Sequence, residues 1–351
     1  MIGIRAASHR LSDHEVAKLL FVDYRGEISS RARSQLAQAL RPGDLVIAND
    51  AATLPASLMG VHLPSRRPIE LRLAGRDTLA LDRIGAFTAI VFGEGDFRTR
   101  TEDRPDPPDL VQGDQLALGP LRGVVAQRLN HPRLIRVVLE GPAPQIWAGL
   151  ARYGRPIQYA HVPKPLALWD VWTPLAAAPV AFEAPSAGFV VDWRTLAAFV
   201  ERGIDFATIT LAAGISSTGD SALDALLPLD EAYSISPSTA AALERARAER
   251  RRVVAIGTSV VRALEHSASL PASRIIPGER IATQRIGEAT RLNIVDALLT
   301  GVHQPGESHF ELLRAFAKAP TLARAQQTLA AGDYRSHEFG DSMLIERAST
   351  L

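Results

Sequence analysis

The residues best suited to bind a charged ligand lie where an apolar run meets a helical pattern, at Gly257 and Thr258. The run RVVAIG (252–257) is typical of a buried strand, and TSVVRALEHSA (258–268) has a helical pattern. A glycine there permits close backbone approach, and the free N–H groups of a helix N-terminus attract carboxylates and phosphates. The same two residues would also serve as an ordinary helix cap.

Arg262 and Glu265 follow in this helix, and a spacing of three residues also fits a simple surface ion pair. Asn49 and Asp50 end a short apolar strand at 45–48. They would hold the polar edge of a ligand at the carboxyl end of the strand, or form a turn with Asx hydrogen bonds.

Three further segments carry small or titratable residues. The loop APSAG (184–188), with Ser186 and Gly188, would let a ligand lie against backbone, or would act as a connector. His303 is a candidate acid or base, and a helix cap or a buried histidine is the alternative. Asp341, in FGDS, brings a carboxylate into a site or forms a tight turn.

The composition excludes several classes of site. The chain has 351 residues and no cysteine, so disulfides, thiolate metal sites and a cysteine nucleophile are excluded. Its nine histidines form no HxxxH or HExxH array, so we expect no metal. We see no secretory signal and no apolar run long enough for a membrane span. We therefore expect a cytoplasmic protein, most simply a monomer, that needs no separate cofactor.

The charge balance gives little support for a nucleic-acid partner, because the net charge is only +1. Five arginines do lie between Arg245 and Arg252. They could contact nucleic-acid phosphates. They also fit a solvated helix face whose late positive charges suit the helix dipole.

The predicted helices and strands determine where these candidate residues lie. We predict a helix from Ser30 to Leu40, and six short strands without a helix between 58 and 150. Helices and strands alternate after residue 151, and the run 292–302, which precedes His303, has a helical pattern. The predicted fold is an α/β domain (1–57 and 151–351) interrupted by an inserted antiparallel β-barrel domain (58–150).

Six segments in this order resemble the family of S-adenosylmethionine:tRNA ribosyltransferase-isomerases. They are RPGDLVIANDAATLPASLMG (41–60), EAPSAGF (183–189), GIDFATITLAAG (203–214), GTSVVRALE (257–265), LNIVDALLTGVHQP (292–305) and FGDSMLI (339–345). The resemblance spans nearly the whole chain with collinear spacing. It implies the two-domain fold described above.

The resemblance also implies an activity. Members of that family use S-adenosylmethionine as a substrate and transfer its ribosyl part to 7-aminomethyl-7-deazaguanine in tRNA, with isomerisation. The residues that this resemblance assigns to the substrate pocket are Asn49, Asp50, Ser186, Gly188, Glu231, Gly257, Thr258 and Arg262. It makes His303, Asp341 and Glu265 the candidate catalytic residues, with His303 in proton transfer and Arg262 as a partner for a carboxylate.

The chain departs from the family pattern in the expected pocket. Val190 and Ala212 stand where the family has histidines, Gly301 replaces an asparagine, and Asn293 replaces a lysine. These changes leave three hypotheses open. The chain performs the tRNA reaction with an altered pocket, or acts on a small molecule with an adenosyl sulfonium, or binds nucleoside or RNA without catalysis.

Overall fold

A nine-stranded mixed sheet and a closed six-stranded barrel dominate the computed structural model, which describes residues 4–9, 17–270 and 274–348. Parts of the predicted α/β domain therefore lie outside the described residues, namely 1–3, 10–16, 271–273 and 349–351.

The strands in chain order are β1 (Arg5–Ala6), β2 (Lys18–Val22), β3 (Ile28–Ala32), β4 (Leu45–Asn49), β5 (Ala52–Thr53), β6 (Ser57–His62), β7 (Arg67–Gly75), β8 (Ala86–Phe92), β9 (Gln115–Leu118), β10 (Leu121–Arg128), β11 (Leu134–Leu139), β12 (Pro179–Ala181), β13 (Asp205–Leu211), β14 (Glu231–Ile235), β15 (Val253–Ile256), β16 (Gly278–Ala282), β17 (Ala297–Gly301), β18 (Arg335–Ser336) and β19 (Ser342–Glu346). The α-helices are α1 (Leu36–Ala39), α2 (Ala143–Tyr153), α3 (Leu168–Val171), α4 (Trp193–Glu201), α5 (Ser221–Asp224), α6 (Pro237–Ala248), α7 (Thr258–Ala268), α8 (Ser308–Leu313) and α9 (Ala319–Ala331). Short 3-10 helices lie at Arg33–Gln35, Thr101–Asp103 and Ser186–Val190.

The large sheet has the strand order β16-β14-β13-β4-β15-β17-β19-β2-β3. Its four central strands, β13, β4, β15 and β17, run parallel to one another. In β4, Leu45 and Ile47 belong to one hydrophobic core, whereas Val46 and Ala48 belong to another. Apolar side chains on both faces explain why this strand is a continuous hydrophobic run, as in parallel sheets covered on both sides.

The parallel strands end at one edge of the sheet, which we call the carboxyl edge. Strands β14 and β19 run antiparallel to their neighbours β13 and β17, so they begin at this edge. The opposite edge, where the parallel strands begin, is the amino edge. Loops that follow parallel strands commonly form the ligand site of open α/β sheets.

The barrel closes in the order β10-β11-β8-β7-β6-β9, and every neighbouring pair is antiparallel. Its interior is packed with apolar side chains, including Leu71, Phe87 and Val125, each without exposed surface. The barrel lies close to the carboxyl edge. Gly214 follows β13 at this edge, and a Cβ there would lie 3.1 Å from the carbonyl oxygen of Ala74 in the barrel strand β7. The predicted combination of an α/β sheet with an antiparallel barrel is confirmed.

Local sequence signals explain where several helices begin. Ser236 caps α6 by accepting a hydrogen bond from the Thr239 N–H at 3.1 Å, and Pro237 occupies the first helical position. Gly257 precedes α7 with a φ of +99°. This left-handed backbone conformation favours glycine. The sharp turn that it permits carries the chain from β15 directly into α7.

Three predictions of local structure were wrong. Residues 30–32 belong to β3, so the predicted helix from Ser30 to Leu40 is reduced to a 3-10 turn and α1. The run 292–302 contains strand β17 instead of a helix, because a short buried apolar run looks alike in both structures. His303 therefore follows a strand. The segment 58–150 also contains most of α2, which begins just after Pro142.

Candidate active site

The carboxyl edge brings together most of the residues singled out in the sequence. Asn49 ends β4, Gly257 and Thr258 follow β15, and Glu231 begins β14. At the end of β17, Gly301 pairs with Ser342 of β19, which places Asp341 and His303 at the same edge. The fold thus assembles residues that are separated by almost 300 positions in the chain.

A cleft of about 260 Å³ lies at the N-terminus of α7, and we call it the α7 cleft. Its walls include Glu231, Thr258, Ser259, Arg262, Gly306 and His309. The volume is near the lower end of the range typical of small-ligand sites. The first N–H groups of α7 and two hydroxyl side chains give this cleft the properties of an anion site.

The floor of the α7 cleft is a buried ion pair. Arg262 donates a 2.5 Å hydrogen bond to Glu231, and its remaining N–H groups contact the carbonyl oxygens of Leu229, Ala282 and Gln284. The other oxygen of Glu231 accepts a hydrogen bond from the Gly214 N–H at 2.9 Å. The carboxylate partner of Arg262 is therefore supplied by the protein, and this pair shapes the cleft.

A second, narrower space lies beside the first, and we call it the Asp341 hollow. Its walls include Ser186, Val190, Gly301, His337, Glu338 and Asp341. The Asp341 carboxylate accepts hydrogen bonds from the backbone N–H groups of Lys18 and Arg335, at 2.7 and 2.8 Å. Asp341 therefore fixes the backbone around the hollow as well as facing it.

Four histidines form a row along these two spaces. His161 stacks on His337 with ring centroids 4.4 Å apart, and His303 lies 4.7 Å from His309. Gly301 connects the two pairs, since a Cβ there would lie 3.9 Å from both the His303 Nε2 and the His337 carbonyl oxygen. The row thus extends from the Asp341 hollow to the α7 cleft.

The ionisation of this row is set by burial and by neighbouring charges. Burial, followed by the charge of His303, lowers the pKa of His309 to about 3. Burial and then the charge of His161 lower the pKa of His337. Glu307 contacts His303 at 3.3 Å, and although burial opposes it, this contact lowers the pKa of Glu307. At neutral pH His309 and His337 are therefore neutral imidazoles, and the Glu307 carboxylate is ionised.

Glu183 and Tyr159 form an acid–base pair next to the row. The Tyr159 hydroxyl donates a short hydrogen bond to Glu183, whose other oxygen accepts one from the Ser216 N–H at 3.1 Å. Burial raises the pKa of Glu183 to about 7 and that of Tyr159 well above its usual value. The Tyr159 ring lies parallel to His161, with centroids 6.1 Å apart. A carboxyl group with such a pKa can accept or donate a proton near neutral pH.

The barrel contributes a buried cation to this region. Arg72 has no exposed surface, bonds Glu70 at 2.8 Å, and places its guanidinium 5.5 Å from the centre of the Tyr159 ring. Arg104 bonds the same carboxylate at 2.6 Å. The end of the barrel therefore carries a net positive group beneath the Tyr159–Glu183 pair.

The queuosine biosynthesis protein family matches residues 4–345 of this chain. The chain belongs to that family. Relatives that match nearly the whole chain carry the name S-adenosylmethionine:tRNA ribosyltransferase-isomerase. The protein from Sorangium cellulosum is 32% identical over 97% of this chain and 94% of its own length. The protein from an Anaeromyxobacter species is 30% identical over 97% of this chain and 95% of its own length. The family membership expected from the six ordered segments is thus confirmed.

A solved structure supports the fold. The crystal structure of the S-adenosylmethionine tRNA ribosyltransferase from Thermotoga maritima matches with a TM-score of 0.50 and 22% identity. The match covers 97% of this chain and 95% of that one.

Asn49 and Asp50 lie at the expected edge with their side chains already engaged. The Asn49 amide exchanges hydrogen bonds with the Leu211 backbone at 2.9 and 3.0 Å, which ties β4 to β13. Asp50 accepts hydrogen bonds from Thr208 and Thr210, both at 2.7 Å. Their assignment to the substrate pocket remains a prediction, and the structure gives both residues a role in fixing the strand ends.

Glu265 lies away from the α7 cleft, and its catalytic role remains a prediction. Its carboxylate accepts three hydrogen bonds, at 2.7 to 3.0 Å, from the backbone N–H groups of Asn293, Ile294 and Val295. These residues precede β17, so Glu265 serves the amino edge. It lies seven residues into α7, which places it roughly 10 Å along the helix axis from Thr258. Glu265 anchors the loop before β17, at the edge of the sheet opposite the α7 cleft.

The basic run from Arg245 to Arg252 also lies at the amino edge, because it joins the end of α6 to the start of β15. Arg252 bonds Asp44 at 2.9 Å and also contacts Glu346. Arg251 pairs with Asp205 and Glu249. The run is therefore separated from the α7 cleft by the sheet, and much of its charge is neutralised by neighbouring carboxylates.

The positions that depart from the family pattern do not behave alike. Val190 and Gly301 both line the Asp341 hollow, whereas Ala212 is buried in the core between sheet and barrel. His337 supplies an imidazole to the hollow that Val190 lines. Loss of the family histidine at position 190 thus does not leave this space without one.

Sequence reasoning missed several titratable residues of the site, among them Tyr159, His161, Glu183, His309, His337 and Glu338. Glu183 belongs to the EAPSAGF segment, in which the small residues give the stronger signal. The spacing of His161 and His337 carries no signal, because 176 residues separate them. In the structure, His337 stands out by its positive φ of 67°. In the sequence, the only signal for it is the segment HEFGD (337–341), which places titratable residues beside a glycine.

Proposed function

We propose that the protein is an S-adenosylmethionine:tRNA ribosyltransferase-isomerase that acts in queuosine biosynthesis. The observation that carries this proposal is the full-length family match, combined with acid–base groups at the carboxyl edge where the matching segments converge. The reaction transfers the ribosyl part of S-adenosylmethionine to 7-aminomethyl-7-deazaguanine in tRNA and releases adenine and methionine.

We assign the general base to Glu183. The sulfonium acidifies the C5′ hydrogens of the substrate, and a base with a pKa near 7 can remove one at neutral pH. Tyr159 would hold Glu183 in place through their hydrogen bond. The electron pair left at C5′ is stabilised by the adjacent sulfonium.

The α7 cleft would bind the charged end of the substrate. Thr258, Ser259 and the first N–H groups of α7 suit the carboxylate of the methionine moiety, which is attracted by the positive end of the helix dipole. The Glu231–Arg262 pair supports this surface from below. Gly257 allows close approach to the backbone at the start of α7. Gly188 is buried against Thr173, where a Cβ would lie 3.3 Å from that side chain, so its part in the pocket would be to keep this turn compact.

His303 would protonate a leaving group. It lies between the two spaces, hydrogen-bonded to Thr300 at 2.9 Å and paired with Glu307. Adenine departs more readily when the charge developing on its ring is neutralised. Asp341 would maintain the backbone geometry of the hollow.

The barrel would complete the site by excluding water from reactive intermediates. We propose the division of the chain into an α/β domain (1–57 and 151–351) and the barrel domain (58–150), acting together as a monomer in the cytoplasm. Among the described residues, no helix is long and apolar enough to cross a membrane.

The basic run from Arg245 to Arg252 lies at the amino edge, away from the α7 cleft. This position favours a second candidate function. The same chemistry at the α7 cleft could act on a small-molecule acceptor, because this alternative needs no basic surface beside the site. Apolar Val190 at the wall of the hollow also fits a changed acceptor.

The test is incubation with S-adenosylmethionine, with and without tRNA that carries the 7-deazaguanine precursor, followed by measurement of adenine and methionine. The first proposal expects release only with this tRNA. Release without tRNA supports the small-molecule reaction. Absence of release under both conditions, despite measurable substrate binding, contradicts catalysis and leaves a binding protein.

Two variants accompany this experiment. His303→Ala should reduce the rate of adenine release by about 100-fold or more if the imidazole transfers a proton. His131→Ala is the matched control, because His131 pairs with Asp220 at 3.5 Å on the barrel side, outside the row of histidines. Equal rates in both variants would remove His303 from the mechanism.

A further inference from the structure

A group of three potential metal ligands lies at the outer end of the histidine row. His161 comes from the segment after α2, and His337 and Glu338 come from the turn between β18 and β19. We propose that His161, His337 and Glu338 bind a first-row divalent transition-metal ion such as Zn²⁺. This proposal does not depend on the acceptor or on the tRNA reaction.

The donor atoms have the spacing that such an ion requires. One nitrogen of each histidine and one oxygen of Glu338 all lie within 4.8 Å of one another. Bonds of about 2.0–2.2 Å place the ligands of a tetrahedral ion roughly 3.3 Å apart. The His161 Nε2 and the Glu338 oxygen are already 3.3 Å apart. The widest pair therefore needs to come closer by about 1.5 Å at most.

The rings of His161 and His337 are stacked, with planes inclined by 21° and centres 4.4 Å apart. An imidazole nitrogen binds an ion in the plane of its ring, so one of the two rings must rotate out of the stack for both nitrogens to bind the same ion. Their donor nitrogens already lie within 4.8 Å of each other, so a side-chain rotation brings them to the spacing of two ligands.

The backbone at His337 supplies a second, independent observation. Its φ of +67° lies in the left-handed region, which is uncommon for residues other than glycine. Such conformations persist where the surrounding structure requires them, and they cluster at ligand sites and active sites. Here the conformation directs His337 and the next residue, Glu338, into the same space.

The chemistry of the ligand set defines the kind of ion. Two imidazoles and one carboxylate are the ligands of several catalytic zinc and non-haem iron sites. Three protein ligands leave a position for water or for a substrate oxygen. Mg²⁺ prefers oxygen ligands and keeps its waters, so we expect it to bind poorly here.

The test uses the untagged full-length protein after treatment with a chelator. Isothermal titration with Zn²⁺ should give one site per chain, and Co²⁺ should give a visible absorption spectrum typical of nitrogen and oxygen ligands. His337→Ala should weaken Zn²⁺ binding more than about 100-fold, because loss of a supporting residue alone typically costs 10–100-fold. Titration with Mg²⁺ should show no saturable binding.

Two further variants keep the test decisive. Glu338→Gln preserves the size of the side chain and its contact with His161, so it should fold normally and still weaken binding and alter the Co²⁺ spectrum. His131→Ala removes a histidine that has a carboxylate partner and no second histidine, so it should bind Zn²⁺ as the unaltered protein does. Absence of a stoichiometric site, or equal affinity in His337→Ala and His131→Ala, would overturn the proposal.

Discussion

The two edges of the central sheet both carry buried charged residues, but they use them differently. At the amino edge, Arg252 bonds Asp44 and Glu346, and Glu265 is bonded to three backbone N–H groups. At the carboxyl edge, Glu183, His337 and the other members of the row contact groups that can themselves gain or lose a proton.

This difference separates stabilising charges from reactive ones. A carboxylate whose oxygens accept hydrogen bonds from fixed backbone N–H groups is held in one position, as Glu265 is. A carboxyl group held by a tyrosine hydroxyl and by burial, as Glu183 is, has a pKa near neutrality and can exchange a proton. The Glu231–Arg262 pair belongs to the first kind although it lies at the carboxyl edge.

The largest expected effect is on catalysis at Glu183. Glu183→Gln keeps the hydrogen-bonding shape and removes the base, so adenine release should slow by about 100- to 10,000-fold. Single-turnover measurements with bound S-adenosylmethionine would check this. Glu249→Gln, which alters an exposed carboxylate at the amino edge, is the control and should retain full activity. A Glu183→Gln rate within twofold of the control would make the comparison of the edges wrong.

At Glu265 we expect a loss of stability without a loss of activity. Glu265→Ala leaves three buried backbone N–H groups without their acceptor, which should lower the free energy of unfolding by about 3–5 kcal/mol. Urea denaturation measures this change. The rate of adenine release per folded molecule should stay within about twofold of normal at low temperature. If activity falls while stability does not, Glu265 is catalytic after all.

The fold could be predicted from the sequence more completely than the site. Strand β4 and helices α6 and α7 follow from continuous apolar runs and from clear caps such as Ser236. The barrel followed from six strand patterns separated by turns. The run 292–302 was mistaken for a helix because only its pairing between β15 and β19 decides its structure.

The site depends on contacts between distant segments, which local patterns cannot reveal. The candidate site residues that the sequence predicts, such as Thr258 and His303, lie in segments that resemble the family. Glu183, His161 and His337 acquire their chemical properties from burial and from one another. For Glu265, a position in the same helix as Arg262 gives no indication of which edge of the sheet its side chain contacts.

The pH dependence of stability offers a sharper test of Glu183. Its pKa is about 7 in the folded protein and near 4.5 when exposed, so the folded state holds the proton more tightly. The carboxyl therefore costs stability as the pH rises from about 4.5 to 7, and the full cost of roughly 3–4 kcal/mol persists above pH 7. Urea unfolding should find Glu183→Gln more stable than the unaltered protein at pH 8 and equal to it at pH 4. An equal difference at both pH values would contradict the raised pKa.

The smallest effect is expected in the basic run. If the amino edge does not face tRNA, Arg245→Gln combined with Arg247→Gln should leave the apparent KM for tRNA within about twofold. The slope of the logarithm of tRNA affinity against the logarithm of salt concentration should also be unchanged. Each lost contact with a duplex phosphate would reduce the magnitude of this slope by about 0.9. A KM increase of tenfold or more with a shallower slope would place tRNA on this edge.

The most direct test of the account is a crystal structure with S-adenosylmethionine bound. We predict that the ligand lies at the carboxyl edge, with its methionine carboxylate at the N-terminus of α7 and its C5′ atom within reach of the Glu183 carboxylate. A ligand bound instead in the large groove at the amino edge, beside Arg252 and Lys318, would contradict the central claim.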